Sequence, residues 1–392
     1  MRKNILFKVC TMLLALLMVV ACGNGSGKEQ SEKKAESAAS ASKTAKKAVR
    51  KSAKKAKKAR KSSFMTPSSA GSPFEVLLVA GGDDFHSGAV DTLYSVLTDD
   101  VPGIAQSEPC FKVTRINNGD LSTTLRLCRN IVMIKIDPAM YSTCKIKLSR
   151  NVYAEPQLIM TIQAPNALKF INFVKDNADD IVELFTRAEL NRQCDLLKEV
   201  HHPRIEQEVK KMFGCEIWAP IEMDRIKLGR NFIWARNERF LRGVEQSVNL
   251  VIYSYPYRDP KTFTQDYFVH KRDSVMKANI PGPREGQYMM TTMPFVTVSD
   301  ETVHGEYAQV VRGLWNIKDY DMGGPFVSVS RVDEKYQRVV VAEAFVYYPN
   351  QAKRNYLKRV EASLYTLRLP DEIDLDRFQF SLDEITIGPE DE

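Results

Sequence analysis

Asp83, Asp84 and His86 fall within GGDDFHSG (81–88), a loop that follows an apolar run and opens a stretch with helical patterning. Two carboxylates and an imidazole so close together are the side chains of acid–base catalysis or of a metal site. The start of a helix adds converging amides and a favourable dipole, and ligands of α/β folds often sit there. The same residues also have a plain local role, because Gly and Asp shape turns and cap helices. An Asp-Asp-x-His string further lacks a third ligand at a known spacing. The three residues are therefore carried as catalytic candidates, and no metal or cofactor is expected from them.

Other reactive residues offer less. Beyond Cys10 and Cys22 there are Cys110, Cys128, Cys144, Cys194 and Cys215. An odd number without close paired spacing indicates neither a zinc site nor a complete disulfide framework. His201 and His202 are adjacent and so point in different directions, while His270 and His304 stand alone. The glycine stretches IPGPREG (280–286) and MGGPF (322–326) lack the spacing of a phosphate loop and read as tight loops between strands. The acidic string DEIDLD (371–376) lacks the glycine and spaced ligands of a calcium loop.

Cys22 carries a different chemistry. Arg2 and Lys3 precede an apolar run from Val9 to Ala21, which has the charged and apolar parts of a secretory signal and is too short to span a bilayer. The run ends Val19-Val20-Ala21-Cys22, which resembles the lipobox of bacterial lipoproteins. That resemblance implies removal of residues 1–21 and a lipidated Cys22 that anchors the chain. Two or three acyl chains make a stable anchor, since each buried methylene contributes about 0.8 kcal/mol.

Residues 22–63 read as a disordered tether. Val49 is its only large apolar residue, so nothing in it offsets the entropy of ordering. Between 28 and 63 there are fourteen Lys or Arg against three Glu. On an exported chain this charge suits anionic lipid, glycolipid or wall carboxylates rather than nucleic acid. The net charge of +7 hides the contrast between segments: residues 371–392 hold nine acids and one Arg, and residues 64–370 are nearly neutral. The folded part has no basic footprint for nucleic acid.

The folded part reads as α+β, with mixed or antiparallel sheets and packed helices. Apolar runs predict strands at 74–80, 111–116, 130–136 and 157–164, with a helix at 88–98 and helical segments from Asn166 to about Phe213. Ile181, Leu184, Phe185 and Ala188 share one helical face and read as core. Short strands are expected near Ile217 and Phe232, and a stronger one at 249–255. Thr262 and Gln265 stand at capping-box spacing before a helix to about Ala278. Four strands follow near 287–298, 306–316, 326–332 and 338–347, then a helix at 352–366 with Leu357, Val360 and Leu364 on one side. Strand, proline and helix recur at 157–177 and 249–278, which leaves two similar halves open. The organisation is thus an N-terminal α/β part (64–214), a strand-rich C-terminal part (215–370) and an acidic tail (371–392), as one domain or two.

Several strings carry a family resemblance: VDTLYSVLTDDVPG, VYAEPQLIMTIQAP, VIYSYPYRDPKTF, VHKRDSVMKANIPGP, GGPFVSVSRVD, AEAFVYYP and KRNYLKRVEASLYTL. Over about Gly71 to Pro370 they resemble a lipoprotein family of Bacteroidetes, the domain of unknown function 4837. The resemblance implies an envelope lipoprotein and supplies no reaction or functional residue. Glu29, the first acid after Cys22, comes late for a surface-export signal, so the expected location is the outer membrane, facing the periplasm. The functional expectation is a non-enzymatic module that binds an envelope protein or a glycan, or serves as a scaffold. An enzyme acting on cell wall or glycan is the alternative.

Overall fold

Val76 to Ala80 are consecutive apolar residues with both faces buried, the pattern of a strand inside a parallel sheet covered on both sides. The structure, a computed structural model, describes residues 66–241, 243–383 and 385. The signal-like segment, Cys22, the tether and the chain beyond 385 lie outside the described residues. Thr66–Glu392 forms one compact unit.

Its first sheet has five strands in the order β2-β1-β3-β5-β4: β1 (Glu75–Ala80), β2 (Lys112–Asn117), β3 (Asn130–Ile136), β4 (Lys145–Arg150) and β5 (Leu158–Ala164). The first four in that order are parallel and β4 is an antiparallel edge. Helices α1 (Gly88–Leu97), α2 (Ala167–Asp176) and α3 (Ala178–Glu199) cover one face, burying Leu93, Phe170 and Phe185 against Leu78, Val132 and Met160. The other face carries a small cluster of Leu77, Val79, Ile131 and Ile159, packed by Leu121 and Leu125.

The second sheet is antiparallel, seven strands in the order β6-β7-β8-β12-β11-β10-β9. They are β6 (Arg225–Gly229), β7 (Phe232–Leu241), β8 (Val244–Pro256), β9 (Met289–Val303), β10 (Glu306–Ile317), β11 (Tyr320–Asp333) and β12 (Arg338–Tyr347). Successive residues of a strand point to opposite faces, and both faces are buried here. Val340, Ala342, Ala344 and Val346 of β12 meet α4 (Pro203–Phe213) and α6 (Arg354–Leu364). Val339, Val341 and Phe345 meet α5 (Gln265–Asn279) on the other side. The two sheets differ in topology, mixed against purely antiparallel, so the recurring strand, proline and helix mark no shared sheet architecture.

Helix α3 binds the layers together. Its 22 residues place Ile181, Leu184, Phe185 and Ala188 in the core of the first sheet and Leu190, Cys194 and Leu197 in the core of the second. Helix α4, on the near side of the expected cut at 214–215, packs Ile205, Val209 and Phe213 with the second sheet. The acidic segment is also part of the fold as far as Asp383. Glu372 is buried against Arg331, and Phe380 donates from its N–H to Asn191 and accepts from the same side chain, both at 2.9 Å.

Several local expectations are corrected. The cap of α5 is Thr264, whose hydroxyl accepts from the Tyr267 N–H, whereas Thr262 is buried in the preceding 3-10 turn. Near Ile217 there is only an isolated bridge from Glu216 to Arg368. MGGPF is the first part of β11 rather than a loop. A Cβ on Gly324 would stand 2.1 Å from the Val346 carbonyl oxygen, and one on Gly323 would stand 2.5 Å from that of Trp315, so glycine is required where three strands converge.

Candidate functional site

Lys358 and Glu361 of α6 and Tyr365, the residue that caps its C-terminus, stand at i, i+3 and i+7 along one face. Leu357, Val360 and Leu364 form a neighbouring face that enters the core. The polar row lies beneath β10, where Arg312 interrupts the apolar VVRGLW. Arg312 donates to Glu361 at 2.5 Å, and the Lys358 ammonium is 3.0 Å from the other carboxylate oxygen. Glu361 is completely buried and Lys358 nearly so. Burial alone would raise the Glu361 pKa, but Arg312 and Lys358 outweigh it and hold the carboxyl at about 2. Burial lowers the Lys358 pKa, opposed by Glu361.

This ion cluster forms one wall of a cavity of about 340 Å³ between the two layers. Apolar walls come from Phe74, Val101, Leu190 and Phe380, and polar ones from Asp99, Asp100, Asp179, Glu183, Arg187 and Glu301. The cations are committed: Arg312 and Lys358 to Glu361, Arg187 to Glu183. Glu301 of β9 makes no hydrogen bond or ion pair among the described residues, and burial raises its pKa, with Arg187 opposing. Tyr365 is 3% exposed and lines the cavity, and its hydroxyl also makes no hydrogen bond among the described residues. Arg187, Glu301 and Phe380 continue into an adjoining groove of about 560 Å³ that includes His304 and Tyr307.

The loop singled out in the sequence lies elsewhere. Residues Gly82–His86 form a 3-10 turn, and the N-cap of α1 is Ser87, whose hydroxyl donates to the Asp84 carbonyl at 2.6 Å. The side chain of Asp83 lies outside what is described. Asp84 lines a crevice of about 240 Å³ with Gly81, Asn118, Lys135, Asp137 and Tyr141. That crevice is at the carboxyl ends of β1 and β3, where the chain order reverses and ligands of open sheets bind. His86 is exposed, packs edge-on against Phe85 and does not line the crevice. The turn therefore brings Asp84 toward Asp137 and leaves His86 out.

His201 has a structural role: it bonds the Leu197 carbonyl and Glu206 and stacks on Trp218. All five described cysteines are free thiols, and burial pushes Cys194 and Cys215 up to about 12, so neither is a ready nucleophile. Among the described residues no three His, Cys, Asp or Glu converge as metal ligands. The Lys358, Glu361 and Tyr365 row was present in the sequence as i, i+3, i+7 spacing, but an exposed helix face has the same signature.

Residues 202–366 match the family model of a domain of unknown function, DUF4837. The chain carries a DUF4837 domain. A second domain of unknown function, DUF8532, matches residues 69–198. The single resemblance expected across 71–370 thus divides at the end of α3. No curated protein matches the chain. The cavity draws Glu301, Arg312, Lys358 and Tyr365 from the DUF4837 segment and Phe74, Arg187 and Leu190 from the DUF8532 segment, so it exists only where the two are joined.

Proposed function

We propose that this chain is a lipid-anchored protein of the cell envelope, held through Cys22 to the outer membrane on its periplasmic side, whose folded unit binds a ligand rather than transforming one. One observation carries the binding reading: an open-mouthed cavity at the junction of the two layers in which Tyr365 and Glu301 lack hydrogen-bond partners while the surrounding cations are neutralised. Both groups face the cavity with hydrogen-bonding capacity unused within the protein, and a ligand would supply the missing partners. The anchor rests on Val19-Val20-Ala21-Cys22, and the basic tether would add contact with anionic lipid or wall. The alternative of an enzyme acting on wall or glycan has less support, because the Asp84 crevice excludes His86.

Two measurements test this. Labelled palmitate should enter the wild-type protein and not Cys22→Ser; labelling of the variant would sink the anchor. A thermal-shift panel of glycan fragments, amines and short peptides should contain a compound that raises the melting temperature. Ser299 is an exposed residue lining the cavity, so Ser299→Trp should abolish that shift by filling the opening. A panel without any shift, or a shift that survives Ser299→Trp, would remove the cavity as the binding site.

A further inference from the structure

The charge on the cavity walls is not balanced. Among its lining residues, Arg187, Arg312 and Lys358 are each engaged by a carboxylate within ion-pair distance. Asp99, Asp100, Asp179 and Glu301 have no cation within that distance among the described residues. Asp99 and Asp100 are occupied only by hydrogen bonds, from the Asp100 N–H and the Ser107 hydroxyl. Tyr365 offers a buried hydroxyl that can donate or accept. The Phe74, Val101, Leu190 and Phe380 walls suit methylene groups rather than a hydrated ion.

We propose that the cavity binds a small aliphatic amine, its ammonium held between the Glu301 carboxylate and the Tyr365 hydroxyl and its carbon chain against Phe74, Leu190 and Phe380. The inference rests on the binding reading above and gives it a ligand class. An organic cation fits better than a metal ion, because the carboxylates do not converge as a ligand set and much of the lining is hydrocarbon. An ammonium carries three donors and no acceptor, so it can satisfy Glu301 and Tyr365 together. The Arg312, Glu361 and Lys358 cluster contributes by fixing the helix face that presents Tyr365.

The test uses calorimetric titration of the full chain with 1,5-diaminopentane and, as its neutral counterpart of equal length, 1,5-pentanediol. The amine should bind and the diol should not. Glu301→Gln should weaken amine binding by about tenfold or more, the loss expected for one charge-assisted hydrogen bond, and Tyr365→Phe should weaken it several-fold, with the melting temperature of both variants near that of wild type. Equal binding of the diol, amine binding indifferent to both variants, or no amine binding would each overturn the proposal. These failures separate from failure of the binding reading itself: a different panel compound whose shift is lost in Ser299→Trp would keep the cavity as a binding site and remove only the amine.

Discussion

Glu361 shows how one buried carboxylate sets a property of the whole fold. Its pKa falls from an ordinary 4.5 to about 2 because Arg312 and Lys358 outweigh the cost of burial. A carboxyl whose folded value is depressed contributes stability that is complete above its unfolded pKa and is lost as pH falls through the folded value. The window here runs from about pH 4.5 down to about 2, and the contribution is on the order of 3 kcal/mol. Other acids titrate in the same range, so the informative quantity is a difference. Denaturant melts at pH 7, 4 and 3 should show wild type losing more stability on acidification than Glu361→Gln, which should itself be weaker at pH 7 because two buried cations lose their partner. Parallel pH profiles for the two proteins would count against the ion cluster. Glu301 acts in the opposite sense, since its raised pKa makes its ionised form a burden at neutral pH that acid relieves. Neither role could be read from sequence. KRVEASLY spells a polar row beside an apolar one, and only Arg312 on a distant strand decides that the row is interior.

At the scale of elements, most strands and helices were legible because their apolar periodicity is strong, and the misses have identifiable causes. Strands β4 and β6, KIKLSR and RIKLG, went unseen because they are edges whose charged residues face outward. Gly323 and Gly324 looked like a loop because the reason for a strand glycine lies on its neighbours, here Trp315 and Val346. Helix α5 was legible as an element, but the buried pair that seats it was not. Its Arg272 is fully buried, bonds Glu343 of β12 through Nε at 2.9 Å and Nη2 at 2.8 Å, reaches Thr291 at 3.0 Å and lies over the Phe326 ring. Burial alone would lower the Arg272 pKa, but Glu343 outweighs it and raises it. Such a pair seats α5 on the sheet without adding much net stability, since desolvation offsets most of the attraction. Arg272→Leu alone should cost about 3 to 5 kcal/mol by leaving Glu343 buried and unpaired. Adding Glu343→Leu should recover much of that loss. A double variant as unstable as the single one in urea melts would mean that the pair itself contributes substantial net stability.

For the whole molecule, the cavity requires that both layers keep their relative position, and the C-terminal segment is one of the parts that fixes it. After α6 the chain buries Glu372 on Arg331 and then crosses α3. There Arg377 pairs with Asp195, Phe380 exchanges two backbone hydrogen bonds with the Asn191 side chain, and Arg187 donates to the Ser381 carbonyl at 3.3 Å. At the end of this run Arg150 of β4 meets Asp383 at 2.7 Å. Phe380 packs edge-on against Tyr365 with ring centroids 4.6 Å apart and also lines the cavity, so the segment supports both the wall and its polar group. The nine acids of 371–392 read as an acidic tail, because charge density gives no sign of the two phenylalanines and one arginine that dock it. Phe380→Ala should cost about 3 to 5 kcal/mol, as large-to-small changes at buried aromatic positions do. It should also weaken any ligand of the cavity by removing a wall and loosening Tyr365. Asp383→Ala, which removes only an exposed ion pair, should change stability by less than about 1 kcal/mol. Urea melts of the two variants separate docking by apolar packing from docking by charge. A small loss in Phe380→Ala beside a large one in Asp383→Ala would mean that the segment is held electrostatically, and its attachment would then weaken with added salt.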